Sequence, residues 1–330
     1  MSDNFNISEY MSDGIDNIVK GVVKASFKNP KETAFVLKYA LSSKESKRRR
    51  DIFLSEVENA PSFLISSITS NCNLFCKGCY ARANNSCGEG FQKKHLSTQR
   101  WESIFNEAKE LGISFILLAG GEPLMRRDVI EKAAKVKEIM FPIFTNGTMF
   151  DDDYMKLLDK NRNLVPILSI EGDKYQTDTR RGNGTYDILM NVMNKLNSKG
   201  ILYGVSVTVT TENILTVTSK IFYDNLYAKG CKALIFVEYV PVTKATKYLA
   251  PTDNERKILE TEQNKLRNQY KDVIFLSFPG DEKYSGGCLA AGRGFFHINV
   301  DGSAEPCPFS PYSDTKDRKS TRLNSSHKTH

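Results

Sequence analysis

SFLISSITSNCNLFCKGCYAR, residues 62–82, joins an apolar, β-branched run at 62–69 to a loop containing Cys72, Cys76 and Cys79. The run reads as a buried strand. In parallel sheets the loops that leave the C-terminal ends of the strands build the site, so thiols placed here point to metal chemistry. A closed metal site takes four ligands, and two readings follow. Zinc would recruit a fourth thiolate, which Cys87 could supply. An iron–sulfur cubane held by only three cysteines keeps one iron open for a substrate or cofactor.

Similar apolar runs at 114–119, 141–145, 164–170, 202–210 and 233–240 read as further strands, each separated from the next by a helical pattern. Six strands alternating with helices imply a parallel sheet covered on both faces, in a barrel or a doubly wound arrangement. The clearest helix spans 97–111: Ser97 can cap it, Trp101, Ile104, Phe105, Ala108 and Leu111 form one stripe, and Gly112 can end it. Thr252 and Glu255 form a capping box that opens a polar helix reaching about Tyr270, followed by a strand near 273–278. A hairpin of 295–300 and 303–306 about the Asp301-Gly302 turn then lies between Cys288 and Cys307. Ahead of the first strand, residues 1–60 read as a helical lead-in, with Asn29 as N-cap, Pro30 at the first helical position and Phe35, Val36, Tyr39 and Ala40 on one face.

The motifs resemble the radical S-adenosylmethionine (SAM) superfamily, whose CxxxCxxC signature is matched by Cys72, Cys76 and Cys79. Gly120, Gly121, Glu122 and Pro123 match its GGEP motif, FTNG at 144–147 falls at its third-strand position, and LSIEG at 168–172 resembles its fourth-strand motif, with Glu171 where Asp is usual. The resemblance implies a partial (β/α)6 TIM-like barrel over 61–250, a [4Fe–4S] cluster on the three cysteines, and SAM as cofactor. It assigns the SAM amino group to Glu122, its carboxylate to Ser169 and Arg181, its nucleoside end to Thr145 and Asn146, and a cofactor contact to Tyr80. Gly120 and Gly121 would let the cofactor approach the backbone. An electron from the cluster would cleave SAM to a 5′-deoxyadenosyl radical that abstracts hydrogen from substrate, with a flavodoxin- or ferredoxin-type reductant. Residues 251–318 resemble a linker helix and an incomplete SPASM or twitch module, in which Cys288 and Cys307 would be the first ligands of an auxiliary [4Fe–4S] cluster. Oxidative modification of a peptide or protein is the implied activity. Small-molecule or cofactor biosynthesis is the alternative within the family, and a zinc-stabilised, non-catalytic binding protein is the alternative outside it.

Composition narrows the remainder. The chain has 330 residues, 40% of them hydrophobic, and a formal charge of +7, enough for a large core. It has no apolar run of membrane-spanning length and no basic-then-apolar leader, so no membrane partner is expected and the cytoplasm is the expected location. Seven cysteines without an export signal favour metal or redox roles over disulfides. The KRRR cluster at 47–50 reads as a solvated helix end, where cations suit the macrodipole, rather than as a nucleic-acid site. Cys231 reads as core and Cys87 as a loop thiol near the site mouth. His95 and His297 have no evident nucleophile partner, and His297 reads as a satisfied structural residue. Glu238, at the end of the sixth strand, is a candidate substrate-binding group or base, with a strand-end salt bridge as the competing reading. The polar tail 319–330 resembles a translated cloning scar, on which reading the natural chain continues past about Asp317.

Overall fold

The computed structural model describes residues 30–54, 61–88, 94–310 and 312–313. In chain order these form α1 (Pro30–Leu54), β1 (Phe63–Thr69), α2 (Tyr80–Ala83), α3 (Thr98–Glu110), β2 (Ile116–Gly120), α4 (Arg127–Ala133), β3 (Phe141–Thr145), α5 (Asp152–Lys160) and β4 (Leu164–Ile170). Then follow α6 (Lys174–Arg181), α7 (Thr185–Ser198), β5 (Gly204–Val209), α8 (Ile214–Val217), α9 (Lys220–Ala228), β6 (Ala233–Glu238), α10 (Asp253–Gln269), β7 (Ile274–Phe278), β8 (Phe295–Ile298) and β9 (Ala304–Glu305).

The strands form one nine-stranded sheet in the order β7-β6-β5-β4-β3-β2-β1-β8-β9. Neighbours from β7 through β8 run parallel, and only the β8–β9 hairpin is antiparallel. The expected partial barrel is present and extended. The strand near 273–278 adds to β6 as a seventh parallel member, and the hairpin adds to the free edge of β1 through Phe63–Phe295 and Ser66–Ile298. The sheet therefore runs without a break past residue 250, where the sequence suggests a separate module. Its two ends approach each other: the Phe295 ring lies 5.2 Å from Phe63 and 6.0 Å from Phe278, centre to centre.

Alternation along each strand sorts the two faces. Leu64, Ile68, Ile116, Leu118, Leu168, Val205, Val207, Leu234 and Phe236 point to the helices and share one core cluster. Within it Phe105 of α3 meets Phe141 of β3 edge-on at 5.1 Å, and each such fully buried side chain contributes about 1.5–3 kcal/mol. The opposite, concave face is less sealed, as the burial alternation of β6 shows, with Ala233, Ile235 and Val237 only half-buried.

Local signals place the helices. Ser97 Oγ accepts from Arg100 N at 3.2 Å to start α3, and the Thr252–Glu255 capping box starts α10. Gly112, at φ +80°, ends the α3 turn where a Cβ would sit 2.3 Å from Ser46 O of α1. The KRRR reading needs correction: α1 continues to Leu54, so the cluster lies inside the helix. Arg48 and Arg49 pair with Glu45, and Arg49 also reaches Glu110, so carboxylates rather than the helix terminus answer these charges. Tyr39 is buried as expected and donates to Ser114 O at 3.0 Å. Asn29, residues 1–29 and the tail lie outside the described residues, as do the Val36 and Ala40 side chains.

Candidate active site at the C-terminal edge of the sheet

The cysteine loop is anchored to GGEP by backbone contacts. Gly121 N donates to Thr69 O and Glu122 N to Asn71 O, both at 2.7 Å. A Cβ on Gly120, at φ +117°, would lie 2.2 Å from Thr69 O, and one on Gly121 would lie 2.1 Å from Asn71 O. Their missing side chains admit the root of the cysteine loop.

Glu122 is also engaged within the protein. It is 1% exposed. Its Oε1 accepts from Leu124 N at 3.0 Å and Thr145 Oγ1 at 2.6 Å, and its Oε2 accepts from Asn146 N at 2.8 Å. Burial pushes the carboxyl up to about 7, opposed by these three donors. Asn146 continues the chain of contacts by donating to Asn73 Oδ1 at 2.9 Å, and Asn73 donates to Thr148 Oγ1 at 2.8 Å. GGEP, the TNG turn and the cysteine loop are therefore one hydrogen-bonded unit. Thr145 and Asn146, assigned to the nucleoside from the resemblance, are 1% and 5% exposed and serve that unit.

The fourth strand's motif closes the other side. Glu171 is 1% exposed, and its Oε1 accepts from Arg180 Nη1 at 2.5 Å and Arg181 Nε at 2.7 Å. Arg181, expected to hold a SAM carboxylate, is held here by Glu171. Arg180 O accepts from Lys77 N at 2.8 Å, which brings the loop between Cys76 and Cys79 against the end of α6. Glu171 Oε2 is buried with no hydrogen-bond partner among the described residues. Ser169 faces the concave side, with its Oγ 3.2 Å from Ser206 Oγ on β5.

The thiols sit among cations. A hydrogen bond from Cys87 holds the Cys72 thiol down at about 6, helped by Leu74 N, Arg82 and Arg181 and opposed by burial. Burial raises the Cys76 thiol, and Arg181 and Arg180 offset part of that rise. Cys87 is buried, not open at the mouth. Arg82 donates to Leu74 O at 2.7 Å and stacks 3.9 Å over the ring of Phe75. Three free thiols, partly exposed and faced by arginines, form a donor set suited to an anionic iron–sulfur cluster. Among the described residues no three His, Cys, Asp or Glu side chains converge to hold one metal ion; a cubane does not need that convergence, since each thiolate takes a different iron.

The remaining predicted residues separate. Glu238 shares the helix-facing parity of Leu234 and Phe236, and its Oε2 accepts from Arg256 Nε of α10 at 2.8 Å, so the salt-bridge reading replaces that of a cavity base. The ring of Tyr80, assigned to the cofactor, lies 4.7 Å from that of Phe309, beyond the hairpin. Cys288 is exposed and Cys307 half-buried on either side of the hairpin. Burial raises the Cys307 thiol, with Cys288 and Glu282 adding to the rise. Cys231 is core, as expected. Sequence reasoning missed Asn73, Arg180 and Ser206; Asn73 and Ser206 contact partners 73 and 37 residues away, which no local pattern signals.

Residues 66–217 match the family described as Radical SAM superfamily. The Fe-coproporphyrin III synthase of Methanosarcina barkeri is 27% identical over 207 residues, covering 62% of this chain and 50% of that protein. The PqqA peptide cyclase of Rhizobium meliloti is 24% identical over 257 residues, 75% of this chain and 67% of that one. Streptococcus suis SuiB bound to S-adenosylmethionine superposes with a TM-score of 0.67 at 19% identity, over 82% of this chain and 66% of SuiB. The chain thus spans half of the first relative and about two thirds of the other two. With the cysteine signature, the GGEP turn and the parallel barrel strands in family order, residues 66–217 form a radical SAM domain, and the enzymes of that superfamily use a [4Fe–4S] cluster and SAM.

Proposed function

We propose that this protein is a radical SAM maturase that oxidatively modifies a peptide or protein substrate held on the concave face of the sheet. The observation that carries the reading is the gathering of the cysteine loop, GGEP, TNG and the end of β4 at one edge of the sheet, above a half-buried concave face. Cys72, Cys76 and Cys79 would hold the cluster. When bound, the cluster and SAM supply a 5′-deoxyadenosyl radical that removes a hydrogen atom from substrate.

The chain's own residues then have defined tasks. Arg180, Arg181 and Arg82 offset the charge of the thiolates. Glu122 fixes the turn against which the SAM amino group would lie, Ser169 and Ser206 offer hydroxyls to its carboxylate end, and Arg181 can exchange its Glu171 contact for that carboxylate. The apolar concave residues exclude water from the reacting C–H bond. A flavodoxin- or ferredoxin-type donor would supply the electron, and Cys288 and Cys307 would be part of an auxiliary cluster site. Two printed names favour a peptide, since PqqA peptide cyclase acts on one and SuiB is also known bound to the precursor peptide SuiA. A cofactor-biosynthesis reading rests on the coproporphyrin-linked relative.

The test is anaerobic reconstitution with iron and sulfide, reduction with SAM present, and chromatography for 5′-deoxyadenosine. The nucleoside should form, and Cys76→Ala should abolish it while the circular dichroism of the barrel is retained. Cleavage that survives Cys76→Ala, or a colourless protein holding stoichiometric zinc, would refute the assignment.

A further inference from the structure

Phe75 stands between two of the three signature cysteines, Cys72 and Cys76, and is 72% exposed. A single apolar residue on a surface is ordinary. A phenyl ring kept in water in the middle of a metal-binding loop, and fixed there, asks for a reason. The Arg82 guanidinium lies 3.9 Å from the centre of the ring, a cation–π contact. Arg82 is itself tied down, because it donates to Leu74 O at 2.7 Å and to Cys72 O at 3.5 Å, on the stretch that leads into Phe75. Ring and cation therefore form one fixed pair facing solvent.

The charge around the pair has one sign. Residues 71–88 contain Lys77 and Arg82 and no carboxylate. Lys77, one residue past Cys76, is exposed, and its backbone N–H is held by Arg180 O at 2.8 Å. On that side Arg180 and Arg181 share the buried carboxylate of Glu171, while the Asp178 carboxylate is turned to the Gly184 and Tyr186 amides. Aromatic rings and arginines are the residue types in which protein interfaces are enriched.

We propose that the Phe75–Arg82 pair and Lys77 form the docking surface for a small acidic protein that delivers single electrons to the cluster. The inference rests on the radical SAM reading, in which the cluster is reduced from outside. In the encounter the carrier loses one electron and the [4Fe–4S]²⁺ cluster gains it to become [4Fe–4S]⁺, with no bond or proton exchanged. Acidic side chains of the carrier meet Lys77 and Arg82. Phe75 supplies the apolar centre of a contact below about 1,200 Å², the size of electron-transfer encounters. Phe75 is thus a positioning residue, which brings the carrier against the loop that bears the cluster ligands.

The experiment mixes the reconstituted protein, without SAM, with flavodoxin hydroquinone, an acidic one-electron donor, in anaerobic stopped flow. Dithionite, a small donor that needs no docking surface, is the control. In the wild-type protein the flavodoxin reaction should slow about 10-fold as salt rises from about 0.05 to 0.5 M. Phe75→Ala should lower the flavodoxin rate about 10-fold and keep its salt dependence, whereas Lys77→Gln should lower the rate and flatten that dependence. Dithionite rates should be the same in all three proteins, and the affinity for oxidised flavodoxin, read by surface plasmon resonance, should fall with the electron-transfer rate. Equal flavodoxin rates in the three proteins, or dithionite rates that fall in parallel, would overturn the proposal. If Phe75→Ala binds less iron, Lys77→Gln decides. A wild-type protein with no cluster that dithionite can reduce refutes the radical SAM reading, whereas a reducible cluster with unaffected flavodoxin rates refutes this surface alone.

Discussion

Gly120 and Gly182 both have positive φ, +117° and +111°, but not the same environment. A Cβ on Gly120 would meet Thr69 O at 2.2 Å, whereas a Cβ on Gly182 would meet nothing within 4 Å. Alanine at either position carries backbone strain of about 1–3 kcal/mol. Alanine at Gly120 must also push the β1 backbone aside. That adds about 1–3 kcal/mol of overpacking and weakens two hydrogen bonds worth about 1 kcal/mol each, Gly121 N to Thr69 O and Glu122 N to Asn71 O.

The difference between the two variants is therefore about 2–5 kcal/mol, or roughly 3–7 °C in Tm for a chain this large. Differential scanning calorimetry of Gly120→Ala and Gly182→Ala measures it directly. Gly120→Ala should also bind less iron on reconstitution, because the displaced atoms are the root of the cysteine loop. Equal Tm values with full iron loading in Gly120→Ala would refute the claim that GGEP glycines exist to seat that loop.

Other expectations follow from individual contacts. Burial lifts the Glu122 carboxyl from 4.5 to about 7, so folding favours its protonated form: this share of stability is complete below 4.5 and is lost as pH rises through about 7, by about 3 kcal/mol. Urea midpoints should fall across that window and Glu122→Gln should flatten the fall; a wild-type midpoint that rises there would contradict the sign. Arg256→Ala leaves Glu238 buried without its partner and should cost about 1–3 kcal/mol in urea unfolding while SAM cleavage is unchanged; lost cleavage at full stability would return Glu238 to the active site. Arg181→Ala should weaken SAM binding by calorimetry, and unchanged affinity would leave Arg181 with only its Glu171 pairing.

The strands were legible because each is a run of β-branched and apolar residues bounded by turn signals, and the predicted and observed bounds of 141–145 and 164–170 coincide. The side of the sheet that Glu238 occupies was legible too, since Leu234, Phe236 and Glu238 share one parity, but a strand-end carboxylate near a site attracts a catalytic reading. The hairpin's attachment to β1 was not legible, because Ser62 Oγ and Gly294 O meet across 232 residues and neither segment signals the other. Glu122, Thr145, Asn146 and Arg181 are engaged with one another's loops or with Glu171, as three crossing loops brought to one edge must be. Side chains left facing the concave side, such as Ser67 and Ser206, sit mid-strand among apolar neighbours, where alternation makes a small hydroxyl look like filler. Contacts on the concave face of a barrel of this kind should accordingly be sought in such mid-strand positions as well as in the motifs.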